Sequence, residues 1–404
     1  MNKKVIIFKK TLVIGIFILF FIINTTQSIA MNNIKKSNLP ISNRDILYVG
    51  GTGENNHTTI QEAIYNASFG DTIFVYDDSS PYIENIRIFK SITLVGENKN
   101  TTIIDGGGWG NVLHILTDRV NIKCFTITNG RCGVLINSNY NTISHNLIKN
   151  NIDGINLGKT YNNIDRNSIL NNVYGIYIED SSNNTIKKNI FLDNIGAIFI
   201  SKCSVNELIN NNISNNNGGI IIFNSNNITI NSNKILKNNY GVYIKESMNN
   251  TIKSNDIILN NQYGIWLYNS SYNKIILNNN ITNNNKGIRL KNFCNYNLIY
   301  QNNFINNTEN AHDECNNIWD NGKYGNYWSN YKEKYPEAKK KTLKPWIWNI
   351  PYEIDGGSNH DNCPLTNQWS KIDISTSTQK NKVTSNKFSF WIYLTNLKIR
   401  YNKI

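Results

Sequence analysis

The feature that most constrains this chain is a glycine that returns every 21 to 23 residues. Gly133, Gly154, Gly175, Gly219, Gly241, Gly264 and Gly287 each precede an alternating apolar triplet. Ala197 fills the one missing place, and the intervals run 21, 21, 22, 22, 22, 23 and 23. The triplets Val134-Leu135-Ile136, Ile155-Asn156-Leu157, Ile176-Tyr177-Ile178 and Ile198-Phe199-Ile200 have period two, which predicts short strands with their first and third residues inward. Half a period later a second signature, Ile-x-x-Asn-x-Ile, recurs through Asn146, Asn167, Asn189, Asn211, Asn233, Asn255, Asn279 and Asn302.

A unit of about 22 residues with two or three short strands is too short for a propeller blade and carries no heptad or helical period. It also lacks the Leu-x-x-Leu-x-Leu frame of a leucine-rich repeat. What remains is an all-β architecture, a right-handed parallel β-helix solenoid in which each repeat is one coil. Stacking coils in register at about 4.8 Å turns every repeat position into a column. Ile, Val and Leu columns form a dry core, the glycine column permits a tight corner, and the Asn146-to-Asn302 column forms an asparagine ladder. Residues 92–308 hold about ten coils, a rod on the order of 50 Å long.

A solenoid needs both ends closed. Residues 45–91 read as an N-terminal cap containing a short amphipathic helix, with Ile60, Ala63, Ile64 and Ala67 on one face and Thr58 or Thr59 as its cap. Repetition stops near Thr308. Residues 309–369, with Trp319, Tyr324, Tyr327, Trp328, Tyr331, Trp346, Trp348 and Trp369, read as an aromatic-rich C-terminal cap over the last rung.

Asparagine is roughly one residue in five, and the formal charge is +13. The charge is not in the repeats. Residues 1–44 hold seven bases and no acids, and 370–404 hold seven bases and one acid, leaving 27 of each in residues 45–369. A neutral body without a basic stripe argues against nucleic acid as a partner. The N-terminus has Lys3, Lys4, Lys9 and Lys10, an apolar run over residues 12–23, and Ser28-Ile29-Ala30, the three parts of a signal peptide over residues 1–30, followed by a linker over 31–44. Cleavage after Ala30 would leave a chain that is not an integral membrane protein, working extracellularly, at the cell surface or in a periplasm-like space. Retention of the segment as an anchor is the alternative. Residues 370–404 form a basic polar tail.

The segments Ile46-Leu47-Tyr48-Val49-Gly50-Gly51, Thr58-Thr59-Ile60-Gln61-Glu62-Ala63-Ile64, Gly70-Asp71-Thr72-Ile73, Ser91-Ile92-Thr93-Leu94-Val95-Gly96-Glu97 and Thr102-Ile103-Ile104-Asp105-Gly106 resemble the opening of the NosD-like secreted β-helix proteins. That family is also described by its CASH-type repeats. The closing motifs Trp319-Asp320-Asn321-Gly322, Gly325-Asn326-Tyr327-Trp328-Ser329 and Pro351-Tyr352-Glu353-Ile354-Asp355-Gly356, with Pro364-Leu365, are similar to the same family. The resemblance covers about residues 45–369 and implies the β-helix fold. It also implies a role as a periplasmic copper-binding or maturation accessory protein, since the family name comes from copper-site maturation in nitrous oxide reductase. Fold alone does not transfer that activity.

The residues themselves offer three chemistries. A polysaccharide lyase or glycoside hydrolase needs clustered carboxylates on one face. The column four residues after each corner glycine reads Asn137, Gly158, Glu179, Ser201, Phe223, Lys245, Tyr268, Lys291, which is no acid cluster, and the Asn-Thr-Asp and Arg-Ile-Lys signatures of polygalacturonases are absent. The balance is against an enzyme. The outward middle residues of the triplets read Leu135, Asn156, Tyr177, Phe199, Ile221, Tyr243, Trp266, Arg289. Tyr177, Phe199, Tyr243 and Trp266 thus share an external column suited to stacking on a polysaccharide, a glycan or another surface partner, unless a loop or a neighbouring chain covers it. Third, His312-x-x-Cys315 and His360-x-x-Cys363 offer two His and two Cys for copper or zinc, although the expectation is no cofactor and a Cys315–Cys363 disulfide in an exported chain. Cys203 and Cys294 share a column about four rungs, roughly 19 Å, apart and read as unpaired.

Overall fold

The computed structural model describes residues 45–370. The expected signal peptide, the linker and the basic tail beyond residue 370 lie outside the described residues. From Ile46 onward the chain winds as a right-handed parallel β-helix with three sheets. Each coil contributes one strand to each sheet in turn. In one coil these are Thr142–Ser144 in sheet A, Leu147–Lys149 in sheet B and Asp153–Leu157 in sheet C, before Asn163–Asp165 returns to sheet A. Sheets A and B each hold twelve strands and sheet C holds eleven.

The stack is therefore longer than the ten coils that the repeats suggest. Ile46–Val49 pairs in register with Thr72–Val75, and that strand with Thr93–Gly96, so most of the expected N-terminal cap is already solenoid. At the far end Glu309–Asp313 and Tyr327–Trp328 extend sheets C and B. These outer coils lack the corner glycine, although Asn317 and Asn326 carry two of the asparagine ladders on past the repeats, accepting from Asn297 and Asn302. The helix Ile60–Asn66 closes the first coil as its pattern predicts. Thr59 Oγ1 accepts from the Glu62 N–H, and Ile60, Ala63 and Ile64 are buried.

Two short straight sides and three sharp corners per coil follow from a five-residue rhythm. At most of these corners one residue adopts a left-handed backbone and the next is a buried asparagine. Tyr140 (φ 58°), His145 (φ 58°) and Asn150 (φ 57°) precede Asn141, Asn146 and Asn151 in a single coil. Left-handed residues without glycine are disfavoured by about 1–2 kcal/mol each, and the ladders offset that cost. Asn167 Nδ2 donates to Asn189 Oδ1 at 3.1 Å and to the Ile143 carbonyl at 2.8 Å, and its backbone N–H donates to Asn189 Oδ1 at 2.8 Å. The same bonding links the column from Asn146 to Asn302, a second from Asn151 to Asn307, and a third through Asn141, Asn162, Asn184 and Asn206 that resumes at Asn250. Where the sequence indicated one ladder, the structure has three.

The glycine column has a different role from the one its position implies. None of Gly133, Gly154, Gly175, Gly219, Gly241, Gly264 or Gly287 has a positive φ. They are small because the next coil presses on them: a Cβ on Gly133 would sit 2.6 Å from the Gly154 carbonyl oxygen, and one on Gly241 2.5 Å from that of Gly264. The corner needs close approach, not torsional freedom. At the C-terminal end a ring stack closes the core: Phe304 lies on Trp328 at 4.4 Å and Trp328 on Tyr352 at 4.1 Å. Two buried carboxylates tie the closing segment down, Asp313 accepting from Trp319 Nε1 and Asp361 from Trp328 Nε1, each at 2.9 Å. Among the described residues no helix is long and apolar enough to cross a membrane.

Candidate functional site

The outward face of sheet C carries the aromatic column. Register pairs Tyr177 with Phe199, then Ile221, Tyr243, Trp266, Arg289 and His312 on successive coils. Their inward neighbours, such as Ile176 and Ile178, are fully buried, while the column itself is half-buried. Parallel strands at rung spacing hold equivalent rings face to face. Tyr177 stacks on Phe199 at 5.3 Å with 6° between planes, and Tyr243 on Trp266 at 4.4 Å. Ile221 separates the two pairs.

A second column runs beside it that the sequence reading did not identify: Tyr174, Gly196, Gly218, Tyr240, Tyr263, Lys286. Tyr174 packs on Phe199 at 5.4 Å, and Tyr240 and Tyr263 pack on Trp266 at 5.9 and 5.0 Å. Its signal is the dipeptide Tyr-Gly ahead of the triplet, at 174–175, 240–241 and 263–264. Where that column drops to glycine for two coils, a cleft of about 350 Å³ opens. Gly196, Gly218 and Ile221 form its floor, Tyr174 one wall, and Tyr240, Tyr243 and Trp266 the other. The Trp266 Nε1 donor in that wall has no hydrogen-bond partner.

The polar rim is ordered. Tyr177 donates its hydroxyl to Glu179 at 3.1 Å, and Glu179 pairs with Lys202 at 3.0 Å. Burial first, then Glu179, pushes the Tyr177 hydroxyl up to about 12, so it stays a neutral donor. Burial likewise raises the Tyr243 hydroxyl. Beyond Trp266 the column becomes ionic. Arg289 donates to Glu314 at 3.1 Å, His312 sits 2.9 Å from Glu309 and 3.4 Å from Glu314, and Lys286 lies 3.3 Å from Glu309. This cluster, spread over the strands of two coils and the turn after them, could not be assembled from spacing alone. Its two carboxylates are engaged by the histidine and the cations, which leaves a charge-balanced end to the aromatic strip.

The two His-x-x-Cys pairs do not converge as a four-ligand site. Among the described residues no three of His, Cys, Asp or Glu form a group that could hold a metal ion. His312 is taken up by Glu309 and Glu314, and His360 lies in a hairpin opposite Glu353. Cys315 and Cys363 are both free thiols, not a disulfide. The reason is topological. Cys315 sits at the corner after sheet C, accepting the Cys294 N–H, whereas Cys363 sits beside Gly325 at the corner between sheets A and B. Similar spacing in the sequence placed them on different edges of the coil. Cys203 and Cys294 are buried and unbonded.

A family model described as periplasmic copper-binding protein (NosD) matches residues 30–239 and 195–333. None of the curated proteins matches the sequence. Among solved structures, the chain is similar to ORF18 of Geobacillus virus E2, at 16% identity over 74% of this chain and 61% of that one, with a TM-score of 0.42. It is also similar to an alginate lyase from Paenibacillus, at 16% identity over 53% of this chain and 91% of that one, with a TM-score of 0.42. The A-module of the mannuronan C-5 epimerase AlgE6 from Azotobacter vinelandii is 12% identical over 64% of this chain and 89% of that one, with a TM-score of 0.38.

Proposed function

The chain belongs to the NosD family of β-helix proteins, and from that premise we propose that it is an exported glycan-binding protein whose site is the cleft on sheet C. The observation that carries this reading is the cleft itself, walled by Tyr174 on one side and by Tyr240, Tyr243 and Trp266 on the other. Sugars present C–H faces that stack on aromatic rings and hydroxyl oxygens that accept hydrogen bonds. The advance of about 4.8 Å per rung approximates the rise per residue of an extended polysaccharide, so a chain lying along the coils meets Tyr177 and Phe199 as it leaves the cleft. Engagement of Glu309 and Glu314 by His312, Arg289 and Lys286 supports binding over hydrolysis. The Lys-rich start, the apolar run and Ala30 support export.

The test is affinity for a panel of soluble and insoluble polysaccharides, measured with the wild type and with Tyr243→Ala, Trp266→Ala and the double variant. Each ring removed is expected to weaken binding by about tenfold. The rings are outward and the isoleucine core beneath them is untouched, so the variants should keep the fold and lose only the stacking among the rings, about 1–2 kcal/mol of stability. Unchanged affinity in the double variant, or no glycan retained by the wild type, removes the reading.

A further inference from the structure

The corner that follows sheet C is built from small hydroxyl and thiol side chains. Cys203, Ser225, Ser247, Ser270, Cys294 and Cys315 stack in one column, each accepting the backbone N–H of the residue one coil earlier. Ser225 Oγ takes the Cys203 N–H at 2.9 Å, Ser247 Oγ that of Ser225 at 3.0 Å, and Ser270 Oγ that of Ser247 at 3.1 Å. Cys294 Sγ takes the Ser270 N–H at 3.4 Å, and Cys315 Sγ that of Cys294 at 3.2 Å. Serine satisfies this column, yet its last two rungs carry thiols. Cys294 and Cys315 are the only two of the six cysteines separated by a single coil, and Cys315 Sγ reaches the Cys294 backbone N–H. Neighbouring rungs lie about 4.8 Å apart, inside the Cα separation of roughly 4.4–6.8 Å that a disulfide spans.

We propose that Cys294 and Cys315 are an oxidation site: in the exported chain they join as a disulfide that staples the last full coil to the strand opening the C-terminal cap. Two S–H bonds break and one Sγ–Sγ bond forms. The two electrons and two protons pass to an external disulfide, either a small oxidised thiol or a disulfide-carrying oxidant protein, which leaves as two thiols. Burial pushes the Cys294 thiol up to about 12 and raises that of Cys315, so neither supplies a thiolate once the coil is closed. Exchange therefore takes place while the last coils are still folding. The staple acts on residues that matter at both neighbouring structures. Asp313, two residues before Cys315, anchors Trp319, and Glu314 holds Arg289 at the end of the aromatic strip.

The experiment uses the full chain exported into an oxidising compartment and purified without reductant. Free thiols are alkylated, and the protein is cleaved after glutamate, which cuts at Glu309 and Glu314 between the two cysteines. The expected result is a Cys294 peptide linked to a Cys315 peptide and separated by reduction. Reduction should also lower the unfolding midpoint of the wild type but not of Cys294→Ser, in which serine takes the residue type of the three preceding rungs and Cys315 becomes open to alkylation. Full alkylation of both thiols in the unreduced wild type, or a Cys315–Cys363 link, overturns the proposal.

Discussion

At the scale of single residues, Asn211 shows what one ladder amide carries. Its backbone N–H and its Nδ2 both donate to Asn233 Oδ1 at 2.9 Å, its Nδ2 also reaches the Ile186 carbonyl at 2.9 Å, and its Oδ1 accepts from Asn189 N and Nδ2 at 3.0 and 3.1 Å. The side chain is buried, so Asn211→Ala leaves donors and a carbonyl without water or partner. The expected loss is about 3 kcal/mol or more, read as a lower urea midpoint at unchanged m-value. A loss under about 0.5 kcal/mol, the level of an ordinary surface change, would mean that the ladder contributes nothing. The Asn146-to-Asn302 column was legible because isoleucines flank it at fixed offsets. The columns from Asn151 and Asn141 were not, since in a chain this rich in asparagine a single recurring position does not stand out. The left-handed corners were hidden for a different reason: their occupants include His145, Lys188, Val205 and Leu259, which carry no turn signature. Neighbouring coils impose that conformation.

At the scale of the strand, alternation told which side chains of sheet C face outward, and it placed Tyr177, Phe199, Tyr243 and Trp266 in one column. It did not show that the column is half of a site. The cleft depends on the residue just before each corner glycine, where the chain bends and period two no longer assigns a face. There Gly196 and Gly218 interrupt a series of tyrosines. Gly218 has an ordinary backbone, and a Cβ on it would press on the Ile221 side chain, 2.6 Å from Cδ1 and 3.2 Å from Cγ1, which must turn aside to admit it, with the nearest backbone atom, the Ile195 carbonyl oxygen, at 3.9 Å. Tyrosine is already at home in this column, where Tyr240 and Tyr263 stack at 5.9 Å. Gly218→Tyr should therefore fold as well as the wild type while filling the cleft floor. Its circular dichroism and unfolding midpoint should match, and its glycan affinity should fall at least tenfold. Retained affinity would move the site elsewhere on the face. This variant separates occupancy of the cleft from loss of aromatic surface, which the alanine variants cannot do.

At the scale of the whole molecule, a neutral body between basic ends and an aromatic closing segment were legible from the sequence, but the acids that fasten the closing segment were not. Burial is a property of the assembled end, and Asp361 looks in sequence like any loop carboxylate. It is fully buried, accepting from the N–H groups of Asn326 and Cys363 and from Trp328 Nε1. Those donors favour the ionised form, yet burial outweighs them and lifts the carboxyl from 3.8 to about 7. Burial raises Asp313 as well. A folded-state pKa above the unfolded one means that the native protein binds more protons across the interval between them, so stability is greatest below the ordinary carboxylate range and is lost as pH rises toward 7. His114, lowered first by burial and then by Arg87, works in the opposite sense, losing stability as pH falls through its folded value. The informative quantity is accordingly the difference between wild type and Asp361→Asn. Thermal unfolding at pH 5 and pH 8 should show a wild type that gains more, or loses less, on acidification than the variant, by up to roughly 2.7 kcal/mol, the share of the linkage that lies between those two pH values. Identical pH dependence in the two proteins would show that Asp361 is ionised in the folded state throughout, held by its three donors despite its burial.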